Sequence, residues 1–176
     1  LNQKLAPFKI FKSIECDILN DGRLDYPDEI LASFDLVITS IHQNLKMTEE
    51  KAMERLLGAV ANPYTQILCH PSGRLLLSRK EYPVNYEVLI EACQKHDVAL
   101  EINANPRRLD IDWQWIPTAM AAGVMLSINP DAHSIKGIDD IRYGVLCAQK
   151  GLLTPKSNVS SMSLAAFEQY INRKKK

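Results

Sequence analysis

The sequence predicts an α/β fold, with a mostly parallel sheet and helices packed outside it. Three observations predict it. Five short apolar runs alternate with helix-length amphipathic stretches. The joins are punctuated by Gly, Pro, Asn and Asp. Acids and histidines recur at the ends of the apolar runs, where α/β folds gather their chemistry. Periodicity leaves open whether the sheet closes into a barrel.

The elements follow in order. The first run, Ile14 to Leu19, contains Glu15 and Asp17 and leads into the breaker-rich turn Asn20 to Glu29. The second, Leu36 to Ile41, ends at His42. A helix is expected from about Thr48 to Asn62, with Met53, Leu56, Leu57 and Val60 on one face. Glu49 and Glu50 suit its first turn, and Asn62-Pro63 stops it. The third run, Gln66 to Cys69, ends at His70, and a polar loop leads to a helix over about Tyr86 to Lys95. The fourth run, Val98 to Ile102, contains Glu101 and is followed by a helix around Trp115 to Ala122, closed by Gly123. The fifth run, Val124 to Ile128, ends in Asn129 to His133. Helices over about Asp140 to Lys150 and, capped by Ser163, over Leu164 to Asn172 complete the chain.

Composition excludes several classes. Apolar residues make up 46% of the 176 and charged residues 24%, so a normal core is expected rather than disorder. Nothing approaches 18 consecutive apolar residues, which excludes a transmembrane helix. No charged start followed by an apolar stretch is visible, and Cys16, Cys69, Cys93 and Cys147 form no C-x-x-C pair. We therefore expect free thiols and a cytoplasmic location, with no membrane partner. The formal net charge is zero, but Arg173 to Lys176 supply four of the 21 positive charges. Without them 17 positive charges face 21 negative ones, a net of −4, which would not hold a polyanion by bulk charge. That basic tail reads as a solvated end rather than a nucleic-acid arm.

Imidazoles and carboxylates on one rim suit a borderline divalent cation such as Zn²⁺ or Mn²⁺. The candidates are Glu15, Asp17, His42, His70, Glu101, Asp131 and His133. Glu15 and Asp17, two apart, share a face of a regular strand. Asp17 could equally cap the following turn, Glu101 could serve a structural ion pair, and Asp131 with His133 could form an Asx turn. Arg74 near His70, and Arg107 with Arg108 after Glu101, offer guanidinium groups to a phosphate. Trp113 and Trp115 fall on different sides of a helix, and one of them is expected in the core.

The segments IECDIL, ITSIHQ, LCHPSGR, LEINANPRRLD and INPDAHS, in this order across nearly the whole chain, resemble the PHP (polymerase and histidinol phosphatase) family. DGRLDYPDEIL, DDIRYGVLCAQKG and NVSSMSLAAFEQYI are similar to the C-terminal PHP domain of bacterial family X DNA polymerases. The resemblance implies a distorted seven-stranded TIM-like (β/α) barrel around a cluster of divalent metals, Mn or Zn. It implies a metal-dependent phosphoesterase acting as a 3′-5′ exonuclease or in 3′-end processing, with DNA as partner through a parent polymerase. The ligands it implies are Glu15, His42, His70, Asp131 and His133. Asp17 and Glu101 would be further site residues, His42 or His133 would protonate the leaving group, and Arg74 or Arg107 would meet the phosphate. Two alternatives remain: a phosphatase of small phosphoesters, and a structural or DNA-positioning module whose chemistry has decayed.

The family opens its barrel with His-x-His and further His and Asp ligands, and none precedes Glu15 here. Pro130 stands where Thr is common, and Lys12-Ser13 where Gly is usual. Eight strand–helix units take about 250 residues, and seven roughly 220. A chain of 176 beginning at Leu1 is therefore expected to be an N-terminally truncated barrel, residues 1–160, followed by a helix and basic tail, 161–176. Fewer or weaker metal ions, an inactive fragment and an open sheet edge near Ile14 that pairs with another copy are the corresponding expectations.

Overall fold

The computed structural model describes residues 1–174. Its centre is a five-stranded parallel sheet in simple sequential order: β1 (Ser13–Asp17), β2 (Leu36–Ser40), β3 (Ile67–Leu68), β4 (Ala99–Asn103) and β5 (Leu126–Asn129). Seven helices accompany it: α1 (Asn2–Leu5), α2 (Asp28–Leu31), α3 (Glu49–Ala61), α4 (Tyr86–His96), α5 (Ile116–Ala121), α6 (Ile141–Lys150) and α7 (Leu164–Asn172). The α/β class and the parallel sheet are as the alternating runs predict. The described residues form five strands, where the resemblance implies seven. Among the described residues β1 and β5 are the two edges, and only a single bridge, Leu126 to Asn158, extends the sheet past β5. Among the described residues the five apolar runs supply five strands.

Local chemistry explains the boundaries. β1 ends at Asp17, sooner than its apolar run, because Ile18 bridges back to Leu24 across the turn. Within that turn Gly22 has φ +80°. A Cβ there would stand 3.0 Å from the Glu54 carbonyl oxygen and 3.2 Å from the Gly58 Cα, so the turn lies directly on α3. Thr48 and Ser163 cap α3 and α7 by accepting from the amides three residues on. The helix expected over Trp115–Ala122 begins as a 3-10 turn, Trp113–Trp115, with Pro117 in the first turn of α5, where its missing N–H is harmless. Neither tryptophan is fully buried: Trp115 stacks on Tyr86 and Trp113 lies under the Lys150 ammonium.

The strand register gives the sheet two unlike faces. Ile14, Cys16, Val37, Leu68, Leu100, Ile102, Leu126 and Ile128 point to the helical layer and join Leu56, Leu89, Ile90, Ile116 and Ala119 in the main core. The opposite face is apolar only in its amino-terminal half, where Leu36, Ile67 and Ala99 meet Val159, Tyr170 and Ile171. The segment 161–176 thus contributes α7 to that face. Gln66 pins it, donating to the Ile171 carbonyl at 2.6 Å while accepting from the Val37 amide at 2.9 Å. The tail expected in solvent is docked as far as it is described. Arg173 bonds Asp97 at 2.6 Å and covers the Tyr170 ring, and Lys174 donates to the Thr65 carbonyl at 2.7 Å. Lys175 and Lys176 lie outside the described residues.

Candidate metal centre

In its carboxyl-terminal half that second face turns polar. The register puts Glu15, Asp17, Ser40, Glu101, Asn103, Ser127 and Asn129 on one side of the sheet. Strand alternation sets this: each lies an odd number of residues from an apolar position of its strand that faces the helical layer. Glu15 extends from β1, and His42 and His70 stand just beyond β2 and β3. One ligand atom from each of Glu15, His42 and His70 lies within 4.8 Å of the others. The Glu15 Oε1 is 3.4 Å from His42 Nε2 and 3.2 Å from His70 Nε2, and accepts from the Ser40 hydroxyl at 2.7 Å.

Asp17 shares the Glu15 face, and its carboxylate takes the His42 Nδ1–H at 2.5 Å. That bond turns His42 Nε2 towards Glu15, an arrangement that commonly orients imidazole ligands. Asp17 is thus no cap; the turn bond at this point comes from Asp25, which accepts from the Asp17 amide at 3.0 Å. Glu15 is not the buried carboxylate that its apolar run suggests, with a side chain 37% exposed at the sheet edge. The buried one is Glu101, 2% exposed. It forms no ion pair among those described. Instead it accepts from the His70 amide at 2.9 Å, Asn129 at 2.9 Å, Asn103 at 3.1 Å and the Cys69 thiol at 3.2 Å.

The electrostatics follow from these contacts. Bonds from His42, then His70 and Ser40, hold the Glu15 carboxyl well below the usual carboxylate range, against the effect of burial. The Glu15 bond, with Asp17 adding to it, pushes His42 up to about 9 despite desolvation. Burial raises Glu101, although the His70 charge and its own donors oppose this.

Asp131 and His133 do not join the trio. Asp131 pairs with Arg108 Nε at 3.3 Å and accepts from Asn103 at 3.2 Å. Its link to the trio is indirect, since Asn103 also donates to Glu101 and Glu101 holds the His70 amide. His133 is 85% exposed, with Nδ1 2.8 Å from the Asp131 carbonyl oxygen, so this segment is a local turn. Arg74, expected beside phosphate, instead bonds Asp112 at 3.0 Å and the carbonyls of Arg108 and Leu109. Arg107 is exposed; Arg108 is the arginine whose side chain reaches the site.

Several contributors escape a sequence reading. Arg55 of α3 is 1% exposed and donates to the carbonyls of Ile18 at 2.5 Å, Leu19 at 3.0 Å and Gln43 at 3.0 Å. It thereby fixes the loops that follow Asp17 and His42. Asp110 is fully buried and accepts from the Ser72 amide and hydroxyl at 3.0 and 2.8 Å, joining the loops after β3 and β4. Both look like ordinary surface charges in the sequence.

The donors fit a divalent metal. Two imidazoles and a carboxylate converge, the His70 and His42 Nε2 atoms lying 3.2 and 3.4 Å from the same Glu15 oxygen, a donor set that suits Zn²⁺ or Mn²⁺.

No family model matches the chain. Over 173 residues it is 42% identical to DNA polymerase/3′-5′ exonuclease PolX of Bacillus subtilis, which covers 98% of this chain and 30% of the relative. It is 30% identical over 179 residues to a probable phosphatase of Caldicellulosiruptor bescii, covering 96% of this chain and 71% of that protein. It is 27% identical over 184 residues to probable phosphatase TTE1963 of Caldanaerobacter subterraneus, covering 99% and 70%. The chain therefore spans less than a third of the polymerase and about seven tenths of each phosphatase. The motif series, the convergence of Glu15, His42 and His70, and these likenesses agree, and the chain belongs to the PHP (polymerase and histidinol phosphatase) family.

Proposed function

We infer that this chain is a metal-dependent phosphoesterase domain that hydrolyses phosphodiesters at DNA 3′ ends. The meeting of Glu15, His42 and His70 at the carboxyl ends of three adjacent strands carries this reading. The similarity to a polymerase named as a 3′-5′ exonuclease supports DNA as substrate. In this reading Asp131 and His133 leave the local turn that holds them apart from the trio to complete a Mn or Zn site, and the sheet is part of a seven-stranded barrel. The open edge of β1 then pairs with a strand of a second copy.

A divalent ion at this site supplies Lewis-acid polarisation of the phosphate and lowers the pKa of a bound water. The chain's own residues do the rest. Asp17 fixes the His42 ring through Nδ1, and Glu101 fixes the backbone at His70. Arg108, beside Asp131, and the exposed Arg107 supply positive charge for non-bridging oxygens. Of His133, exposed at the rim, and His42, the one whose ring nitrogen the ion leaves free would deliver a proton to the leaving 3′ oxygen.

The test is a Mn²⁺-supplemented assay of single-stranded DNA against small phosphoesters. Release of nucleotides, lost in His42→Ala and His70→Ala, is the expected result. Phosphate release from small esters alone would favour the second reading, a small-molecule phosphatase, which rests on the relatives named as probable phosphatases. No turnover of either, with no stoichiometric metal binding, would point to a decayed positioning module.

A further inference from the structure

The loop that follows His70 is a built projection. Leu75 and Arg79 bridge antiparallel, with amide-to-carbonyl bonds of 2.9 and 2.7 Å. Arg79 Nε donates back to the Gly73 carbonyl at 2.9 Å. The Leu76 amide donates to the Arg107 carbonyl at 2.5 Å, tying the turn to the loop after β4. At its base Gly73 is pressed against Tyr82, whose ring would lie 2.6 Å from a Cβ there. The tip presents Leu76 and the fully exposed Leu77, and Leu77 has φ +64°. Leucine is disfavoured in that left-handed region, and a solvated leucine gains nothing from burial. A braced turn thus holds an apolar side chain outward in an unfavourable conformation.

The surroundings are basic. Residues 74–81 carry three cations and one acid, Glu81, and residues 105–109 carry two cations and no acid. Arg74 and Arg108 are paired with Asp112 and Asp131; Arg79, Lys80 and Arg107 take part in none of the ion pairs found among the described residues.

We propose that Leu77, flanked by Arg79, Lys80 and Arg107, is a wedge that inserts beside the terminal base of a DNA strand and leads its 3′ end to the His70 side of the site. This rests on the phosphoesterase reading above and names how its substrate is gripped. Apolar wedges combined with phosphate-binding cations are how proteins unstack bases. The projection belongs to the loop that follows His70 and is tied through the Leu76 amide to the loop that carries Arg108, so a strand it grips has a path towards the His70 side of the site. A membrane surface would call for a broad apolar face, and one turn does not supply it.

The test uses the full chain with Leu77→Asn, which tolerates the left-handed backbone, and Lys80→Ala. The probe is a duplex with a single-stranded 3′ overhang ending in 2-aminopurine. The unsubstituted chain is expected to raise the 2-aminopurine fluorescence on binding. L77N should abolish that rise and weaken binding about tenfold, the scale of one buried aliphatic side chain. K80A should reduce the salt slope by about one. Mn²⁺-dependent hydrolysis of bis(p-nitrophenyl) phosphate should be unchanged in both. If the parent cleaves no ester while L77N still loses DNA binding, the phosphoesterase reading fails and the wedge stands. If both variants bind and unstack DNA like the parent, or lose binding only to phosphatidylserine vesicles, the wedge is overturned.

Discussion

The backbone amide of His70 donates to the buried carboxylate of Glu101 at 2.9 Å, so a residue of β4 sets the orientation of a candidate ligand beyond β3. Three further donors, from Cys69, Asn103 and Asn129, surround the same carboxylate. A buried acid fully occupied by donors has no lone pair to spare for a metal. Its role is to hold others in place.

Glu101→Ala removes that shared acceptor and leaves buried donors unsatisfied. Each such loss costs on the order of 1–3 kcal/mol, so a destabilisation of at least about 3 kcal/mol is expected in urea unfolding. Glu101→Gln keeps the volume but turns an amide towards the other donors, and should fall between the two. Where the variant folds, metal affinity should drop roughly tenfold, as when groups behind a ligand are removed. Unchanged stability in E101A would refute this role.

Arg55 is predicted to matter for the site at a distance. Arg55→Lys loses the forked bonds to Ile18, Leu19 and Gln43 while keeping a charge. About 2–3 kcal/mol of stability should go, and Mn²⁺ or Zn²⁺ titration should show weaker binding, because the loops after Asp17 and His42 lose their shared anchor. Binding as tight as in the parent would show that the clamp is dispensable to the site.

Stability of the metal-free chain should depend on pH with a definite sign. His42 is raised from 6.5 to about 9, so its contribution is complete below about pH 6.5 and is lost as pH climbs towards 9. Burial of Glu101 and Asp110, which raises both, also makes stability fall as pH rises. Glu15 is lowered, so its contribution is present above its ordinary value of 4.5 and is lost as pH falls through its depressed value. Tm should therefore decline between about pH 6.5 and 9, and His42→Gln should flatten that decline. An equally steep slope in H42Q would remove His42 as its source.

Metal must displace the proton that His42 holds up to about pH 9. Affinity for Zn²⁺ or Mn²⁺ should therefore rise across the neutral-to-alkaline range. Calorimetry in buffers of different ionisation enthalpy should detect proton release on binding. Binding without proton release would mean that His42 is not a ligand.

Gly22→Ala tests the packing of the first loop on α3. Its φ of +80° and the 3.0 Å approach to the Glu54 carbonyl leave no room for a methyl group. A loss of about 2 kcal/mol is expected, read from chemical unfolding.

The one-dimensional pattern sufficed for the α/β class, the five strands, the cap Ser163, and the shared face of Glu15 and Asp17. All of these are local: run length, period-two alternation and capping chemistry act over a few residues. The strand-end rule also singled out His42 and His70, because a parallel sheet brings successive carboxyl ends to one rim. What the pattern could not supply was partnership over long separations. Glu101 and Glu15 look alike in sequence, each an acid in an apolar run, yet one is sealed among donors in an inner strand and the other stands open on an edge. Arg55, 36 residues from Leu19, is an ordinary helix charge until α3 packs beneath the first loop. Likewise Arg74, Arg107 and Arg108 look equally suited to a phosphate in sequence, and folding decided which guanidinium met Asp112 and which met Asp131.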